Sequence, residues 1–141
     1  MAVEIRILGR GDEPILAGVA TGVFDRGIDP NLSAEFLADP RHHLVVAMER
    51  DTVVGFASAV HYIHPDKPAE LWINEVCVAP THRGRGIGKR ILAAMLEHAR
   101  SLGCREAWVL TNRGNEPAMR LYAAAGGEQA PRDQVMFMFK L

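Results

Sequence analysis

The chain has 141 residues, 48% of them apolar and 23% charged, a globular composition with enough polypeptide for one sizeable core. No apolar run approaches the roughly 20 residues that cross a membrane, the charged and alternating start is no signal peptide, and two cysteines, Cys77 and Cys104, are too few for a disulfide scaffold and point to a reduced, cytoplasmic protein. The formal net charge of −1 argues against a nucleic-acid partner, yet residues 1–80 hold 6 Lys/Arg and 12 Asp/Glu while residues 81–141 hold 10 and 5: either chance, or an acidic half for a cationic ligand and a basic half for an anionic one.

Residues 3–8 alternate Val3, Ile5 and Ile7 with Glu4 and Arg6, which predicts a half-buried strand. Asp12 suits a helix cap, Pro14 its first turn, and Ile15, Leu16, Val19 and Val23 follow at helical spacing, so a helix is expected to end near residues 24–27. Asp29 and Pro30 open a second, short helix through Leu37, and Asp39 and Pro40 stop it. Residues 43–48 and 53–62 read as the strands of a hairpin turning at Arg50 and Asp51. A Pro-rich loop covers residues 64–68, and a strand over 71–78 ends at Ala79 and Pro80. A helix with Ile87, Ile91, Leu92, Met95, Ala99 and Leu102 on its apolar face runs to Gly103. Residues 107–110 form a short strand, Pro117 suits the first turn of a helix through Ala125, and alternation over 135–141 predicts a final strand. The order β-α-α-β-β-β-α-β-α-β predicts a single α/β domain over residues 1–141, built around a central mixed sheet.

The segment Arg83-Gly84-Arg85-Gly86-Ile87-Gly88-Lys89-Arg90 joins a strand to a helix. Backbone N–H groups point outward at such a helix start, the helix dipole favours negative charge, and glycine lets a phosphate come close to the chain. Four cations with no acid among them favour a polyphosphate. The P-loop pattern fails, because Arg83 stands where its first Gly belongs and Arg90 where Ser or Thr belongs. The dinucleotide fingerprint fails as well, with Lys89 in place of its last Gly. The bland alternative is a Gly-rich turn with solvated charges.

Arg83, Gly86 and Gly88 fit an Arg/Gln-x-x-Gly-x-Gly/Ala pattern, and Asn115, Ala118, Leu121-Tyr122 and Gly126 follow in order. On these two motifs the chain resembles the GNAT family of N-acetyltransferases over nearly its whole length. The resemblance implies a mostly antiparallel twisted sheet flanked by helices, with one strand pair splayed to form an acetyl-coenzyme A cleft. It implies that Val76, Cys77 and Val78 meet the pantetheine arm, and that Arg83, Gly84, Arg85, Gly86, Ile87, Gly88 and Lys89, with Asn115, hold the rest of the coenzyme. A closer resemblance, to aminoglycoside 3-N-acetyltransferases of the GNAT type, rests on residues 70–78, on residues 111–118 and on Phe24-Asp25. Those enzymes carry an acid at the Glu75 position and an Asp-Tyr-Gly-Asp-Asp-Pro-Ala stretch; here Asn112, Arg113, Asn115 and Glu116 replace its Asp, Tyr, Asp and Asp.

Acetyl transfer from a thioester to an amine needs a base for the amine, a donor for the developing oxyanion and a proton for the thiolate. A backbone N–H near Cys77 and Val78 supplies the second. Tyr122, protonated at neutral pH, supplies the third, since the resemblance places its hydroxyl beside the coenzyme sulfur; otherwise it is core packing. Glu75 is the candidate base, acting directly or through water and holding the substrate cation; as a carboxylate inside the apolar run 71–78 it needs such a reason or an arginine partner. Asp25, Asn112 and Glu116 are candidates for the acceptor side, each alternatively a surface residue. Cys77 reads as a small buried hydrophobe rather than a nucleophile. His42, His43, His61 and His64 follow no metal-ligand spacing, so no metal is expected; His61 and His64 are further candidates for the acceptor cleft.

The reading is therefore an acetyl-coenzyme A-dependent N-acetyltransferase acting on a small polycationic amine, with aminoglycosides as the resembling case. Its alternatives are a GNAT enzyme acting on another amine (a metabolite, a protein N-terminus or a lysine) and a non-catalytic coenzyme A sensor. The expected assembly is a homodimer, paired through residues 135–139.

Overall fold

The computed structural model describes residues 2–130 and 133–141. Strands β1 (Glu4–Leu8), β2 (His42–Glu49), β3 (Thr52–Tyr62), β4 (Glu70–Val78) and β5 (Glu106–Val109) form one sheet in that order. The first four are antiparallel neighbours, and β5 joins β4 in parallel. The crossover between β4 and β5 is helix α2 (Ile87–Ser101); α1 (Pro30–Ala38) precedes β2, and α3 (Glu116–Ala124) follows β5. This is the mixed, mostly antiparallel sheet with flanking helices that the sequence leads one to expect. No helix among the described residues is long and apolar enough to cross a membrane.

Both faces of the sheet are covered, so β2 is buried from His43 to Met48, with His43 as its one polar residue. On one face Val45, Ala47, Ala57, Ala59, Leu71 and Ile73 meet Ile87, Ile91, Met95 and Ala99 of α2. On the other, Leu44, Val46, Met48 and Phe56 meet Leu16, Val23 and Leu37. The helix starts follow local chemistry. Asp29 accepts hydrogen bonds from the Asn31 and Leu32 amides at 2.8 and 3.0 Å, and Asn115 accepts from the Ala118 amide at 3.2 Å.

Two expected elements are absent. The helix from Asp12 to residues 24–27 shrinks to a single 3-10 turn, Glu13–Ala17. Its continuation turns onto the sheet instead: the Val53 amide donates to the Gly18 carbonyl at 2.8 Å, and the Ala20 amide donates to Val53 at 2.9 Å. Gly18 permits this approach, because a Cβ there would lie 2.7 Å from the Asp51 carbonyl oxygen. Tertiary pairing thus overrides the helical spacing. The final strand over residues 135–141 also does not form. Val135, Met136, Phe137, Met138, Phe139 and Leu141 are between 74% and 120% exposed. A strand becomes stable only where an edge pairs with it and buries a face, and these residues lie against no edge of this chain.

Candidate functional site

The site is organised by an irregularity in β4. Ser58 of β3 pairs with Glu75 and Ala59 pairs with Ile73, so Asn74 is an extra residue in the ladder. Such a bulge reverses the facing of everything beyond it. Leu71 and Ile73 pack toward α2, whereas Glu75 and Cys77 face the side of α1, leaving Val76 and Val78 toward α2. Glu75 is exposed rather than buried in the apolar run, which corrects the premise that its burial demands a partner. The pairing of β4 with β5 stops at Ile73 and Val109 while β4 continues to Val78. The outer backbone edge of residues 74–78 is therefore open beside α3, the expected splay.

On the α2 side of this open edge lies a cleft of about 670 Å³. Val76, Cys77, Val78, Arg83, Gly84, Gly86, Ile87, Gly88, Lys89 and Asn115 all line it, joined by His82, Arg120, Leu121 and Tyr122. Gly84 and Gly86 hold φ of +77° and +75°, a left-handed backbone that only glycine adopts without strain, and Gly86 caps α2. The loop so formed presents the first turn of a 15-residue helix to the cleft between basic side chains. Arg83 braces the loop by donating from Nε to the Val78 carbonyl at 3.2 Å. Of the predicted loop residues, Arg85 alone is not in the cleft wall; it lies 3.6 Å from Glu49. Glu49 also takes a 3.2 Å contact from His82, and that hydrogen bond, with Arg85 adding to it, holds the Glu49 carboxyl below its usual range. Burial pushes the Tyr122 phenol above its usual value, so it remains a proton donor throughout the neutral range.

A second cleft, of about 690 Å³, opens on the other face. Asp25 and Glu75 line it together, with Arg26, Phe36, Ser58 and Asn74. Phe24 and Phe56 form its aromatic wall, stacked with centroids 4.0 Å apart. Asn112 and Glu116 are elsewhere. The Asn112 carbonyl accepts from the Asn115 amide in the turn before α3, and Glu116 points along α3 to Arg120 at 3.9 Å. His61 and His64 do not reach this cleft either, His64 being paired with Glu70 at 3.0 Å. The Cys77 thiol donates to the Gly22 carbonyl at 3.5 Å.

The two clefts share one wall, with Val76 in the basic cleft and Glu75, its neighbour in sequence, in the acidic one. The model of the acetyltransferase (GNAT) family matches residues 16–126, which include that wall, the glycine loop and α3. The chain belongs to the GNAT family. Among its GNAT relatives, N-alpha-acetyltransferase RimI of Mycobacterium tuberculosis is 32% identical over 127 residues, covering 88% of this chain and 77% of RimI. An uncharacterised protein of Mycobacterium leprae is 31% identical over 132 residues, which cover 84% of this chain but only 36% of that protein. The same fold occurs in an aminoglycoside acetyltransferase from an uncultured soil metagenomic sample, with a TM-score of 0.82, 18% identity and coverage of 99% of this chain and 96% of that one.

This GNAT chain carries one polar cluster that sequence reasoning missed. His98 Nε2 lies 2.9 Å from His43 Nδ1, and His43 Nε2 lies 2.7 Å from His61 Nδ1. Among the described residues no group of His, Cys, Asp or Glu is arranged to hold a metal. A neutral His43 donates through one ring nitrogen and accepts through the other. Burial, then the neighbouring His98 and His61, push its pKa down to about 4. Because the folded value lies below the unfolded value of about 6.5, the neutral ring stabilises the fold above pH 6.5, and that stability is lost as pH falls toward 4. About 3 kcal/mol is at stake. Urea unfolding midpoints should therefore drop between pH 6.5 and 4, and His43→Leu should flatten that drop; an equally steep drop in the variant would relieve His43 of the role.

Proposed function

We propose that the protein is an acetyl-coenzyme A-dependent N-acetyltransferase that moves the acetyl group directly to the primary amine of a small cationic acceptor. The observation that carries this reading is the shared wall: β4 offers an open backbone edge and a basic glycine loop on one side and a carboxylate on the other, one residue apart. The residues fit the coenzyme, since glycines at positive φ bare the backbone amides, and Arg83 and Lys89 stand beside them. Bound there, acetyl-coenzyme A supplies the activated acyl group. The open edge of residues 74–78 hydrogen-bonds its pantetheine arm, and an N–H near Cys77 and Val78 faces the carbonyl oxygen. Glu75 takes the proton of the acceptor ammonium, directly or through water. The amine nitrogen then bonds the carbonyl carbon, the carbon–sulfur bond breaks as Tyr122 gives its proton to the departing sulfur, and the second proton of the new amide nitrogen passes through water to the Tyr122 phenolate.

For the acceptor, the resemblance of residues 70–78 and of Phe24-Asp25 supports an aminoglycoside, with Asp25 and Glu75 both in the acidic cleft. The RimI relationship supports a second reading, a protein N-terminal amine. A thiol-release assay with acetyl-coenzyme A against aminoglycosides, polyamines, simple monoamines and peptides tests the activity. Turnover is expected with at least one class; acetyl-coenzyme A binding without thiol release for any of them would make the chain a sensor. We further propose a homodimer in which residues 135–141 of each copy pair with the open edge of β5 in the other, which would bury the exposed apolar side chains of that segment and shelter Trp108 and Leu110. Sedimentation of the full chain should give a dimer, and truncation after Gln134 a monomer; a monomeric full chain at micromolar concentration would exclude this.

A further inference from the structure

Backbone hydrogen bonds fix the glycine loop at its ends. The His82 amide donates to the Ala79 carbonyl at 2.8 Å, and the Arg90 amide donates to the Gly86 carbonyl at 3.2 Å. Between His82 and α2 stand Gly84 and Gly86, both at positive φ. Glycine has the widest backbone freedom and loses the most of it when ordered, so such a segment keeps one shape best where side chains hold it. Arg83 provides one hold, its contact to the Val78 carbonyl. Resting on the reading of the basic cleft as the coenzyme site, we propose that Glu49 provides the other: it is a positioning residue that keeps the loop in its coenzyme-binding shape by gripping His82 and Arg85 from the end of β2.

The Glu49 carboxylate uses each oxygen once. Oε1 lies 3.2 Å from His82 Nε2, and Oε2 lies 3.6 Å from Arg85 Nη1. With Nε2–H donating to the carboxylate, Nδ1 of a neutral His82 accepts from the Thr81 hydroxyl at 2.8 Å. The ring is thus held at both nitrogens. His82 lines the basic cleft; it also lines, with Glu49, Arg50 and Thr52 of the hairpin, a separate cavity of about 360 Å³. Glu49 borders only the second of these spaces, so it acts through its partners rather than by touching the coenzyme. Its own base is rigid. Glu49 pairs with Thr52 in the ladder, Val53 and Val54 are buried, and Val53 exchanges hydrogen bonds with Gly18 and Ala20. A loop braced from a rigid element is ordered before its ligand arrives, and binding then escapes that cost. A carboxylate near an anion site also repels phosphate. Here Arg85 offsets the charge and solvent salt screens it over about 8–10 Å, so the gain in order is expected to exceed the repulsion.

The test titrates coenzyme A into the full chain by calorimetry. Glu49→Ala should weaken binding about tenfold; Glu49→Thr serves if that variant does not fold. Glu49→Gln keeps an oxygen for His82 and gives up the charge facing Arg85, so its loss should stay within about threefold. In a His82→Phe background, Glu49→Ala should cost less than about threefold, because the main contact through which it acts is already gone. Melting temperatures should hold, since an exposed pair of this kind adds little to stability. Unchanged binding in Glu49→Ala overturns the proposal. Tighter binding overturns it too, and would mean that Glu49 competes with the coenzyme for Arg85. A second arm needs no ligand. Backbone amide order parameters of Gly84 and Gly86 should be about 0.85 in the parent chain and fall below about 0.6 in Glu49→Ala; equal values in the two proteins overturn the proposal. The arms separate it from the reading beneath it. Should the parent chain bind no coenzyme A, the coenzyme reading fails, while the order parameters still decide whether Glu49 holds the loop.

Discussion

Replacing Tyr122 by Phe is expected to lower kcat about 10²-fold, the low end for losing a positioned acid. The substitution removes one hydroxyl and almost no volume. Tyr122 packs partly against the α2-side core and lines the basic cleft beside Val76, Cys77 and Val78, so the fold and, on the proposed reading, the affinity for acetyl-coenzyme A should be retained. Because burial raises its pKa above the ordinary phenol value, the hydroxyl carries its proton throughout the range from pH 6 to 9. The loss should therefore be flat across that range, unlike the loss from a group that titrates within it. Stopped-flow turnover across pH checks both statements. Turnover within about twofold of wild type would leave Tyr122 as packing alone, with the thiolate departing unaided.

Glu75→Gln keeps the shape of the side chain and removes its charge, and it separates two roles. If Glu75 takes the ammonium proton, kcat/KM should fall on the order of tenfold to a hundredfold at pH 7. That deficit should shrink as pH rises, because the free amine then forms without a base. If Glu75 only holds the cation, KM should rise with kcat intact. The exposure of Glu75 at the cleft mouth leaves water free to relay the proton, so the variant is expected to retain its fold and melting temperature. Identical kcat and KM from pH 6 to 9 would remove Glu75 from the mechanism and leave Asp25 as the acid to test next.

The basic cleft was largely legible in the chain because its parts are contiguous. A strand, three glycines among four cations and an apolar helix stand in one run from Val76 to Arg90. Local geometry alone turns that order into an anion site, since the glycines cap the helix whatever the rest of the fold does. The motif from Asn115 to Gly126 was legible for the same reason, as a capped helix. Even there Arg85 escaped, because its partner Glu49 lies on β2, far along the chain.

What the tertiary structure decided lies wherever the partner is distant. The run from Leu71 to Val78 reads as a continuous apolar strand, and nothing in it announces that Asn74 is an extra residue; the register against β3 makes it one. That single bulge sends Glu75 to the acidic face and Val76 to the basic one, and so assigns the two clefts. The helix expected after Asp12 had good spacing, but Val53 offered backbone hydrogen bonds to residues 18–20 that a helix could not share. His98 joined His43 across 55 positions, and residues 135–141 kept the alternation of a strand with no edge of their own chain beside them. Local sequence determines a capped helix or a glycine loop because the groups that satisfy its backbone are its own neighbours. A strand's facing, and a segment's choice between helix and ladder, depend on hydrogen bonds supplied from elsewhere in the fold, so only the assembled sheet settles them.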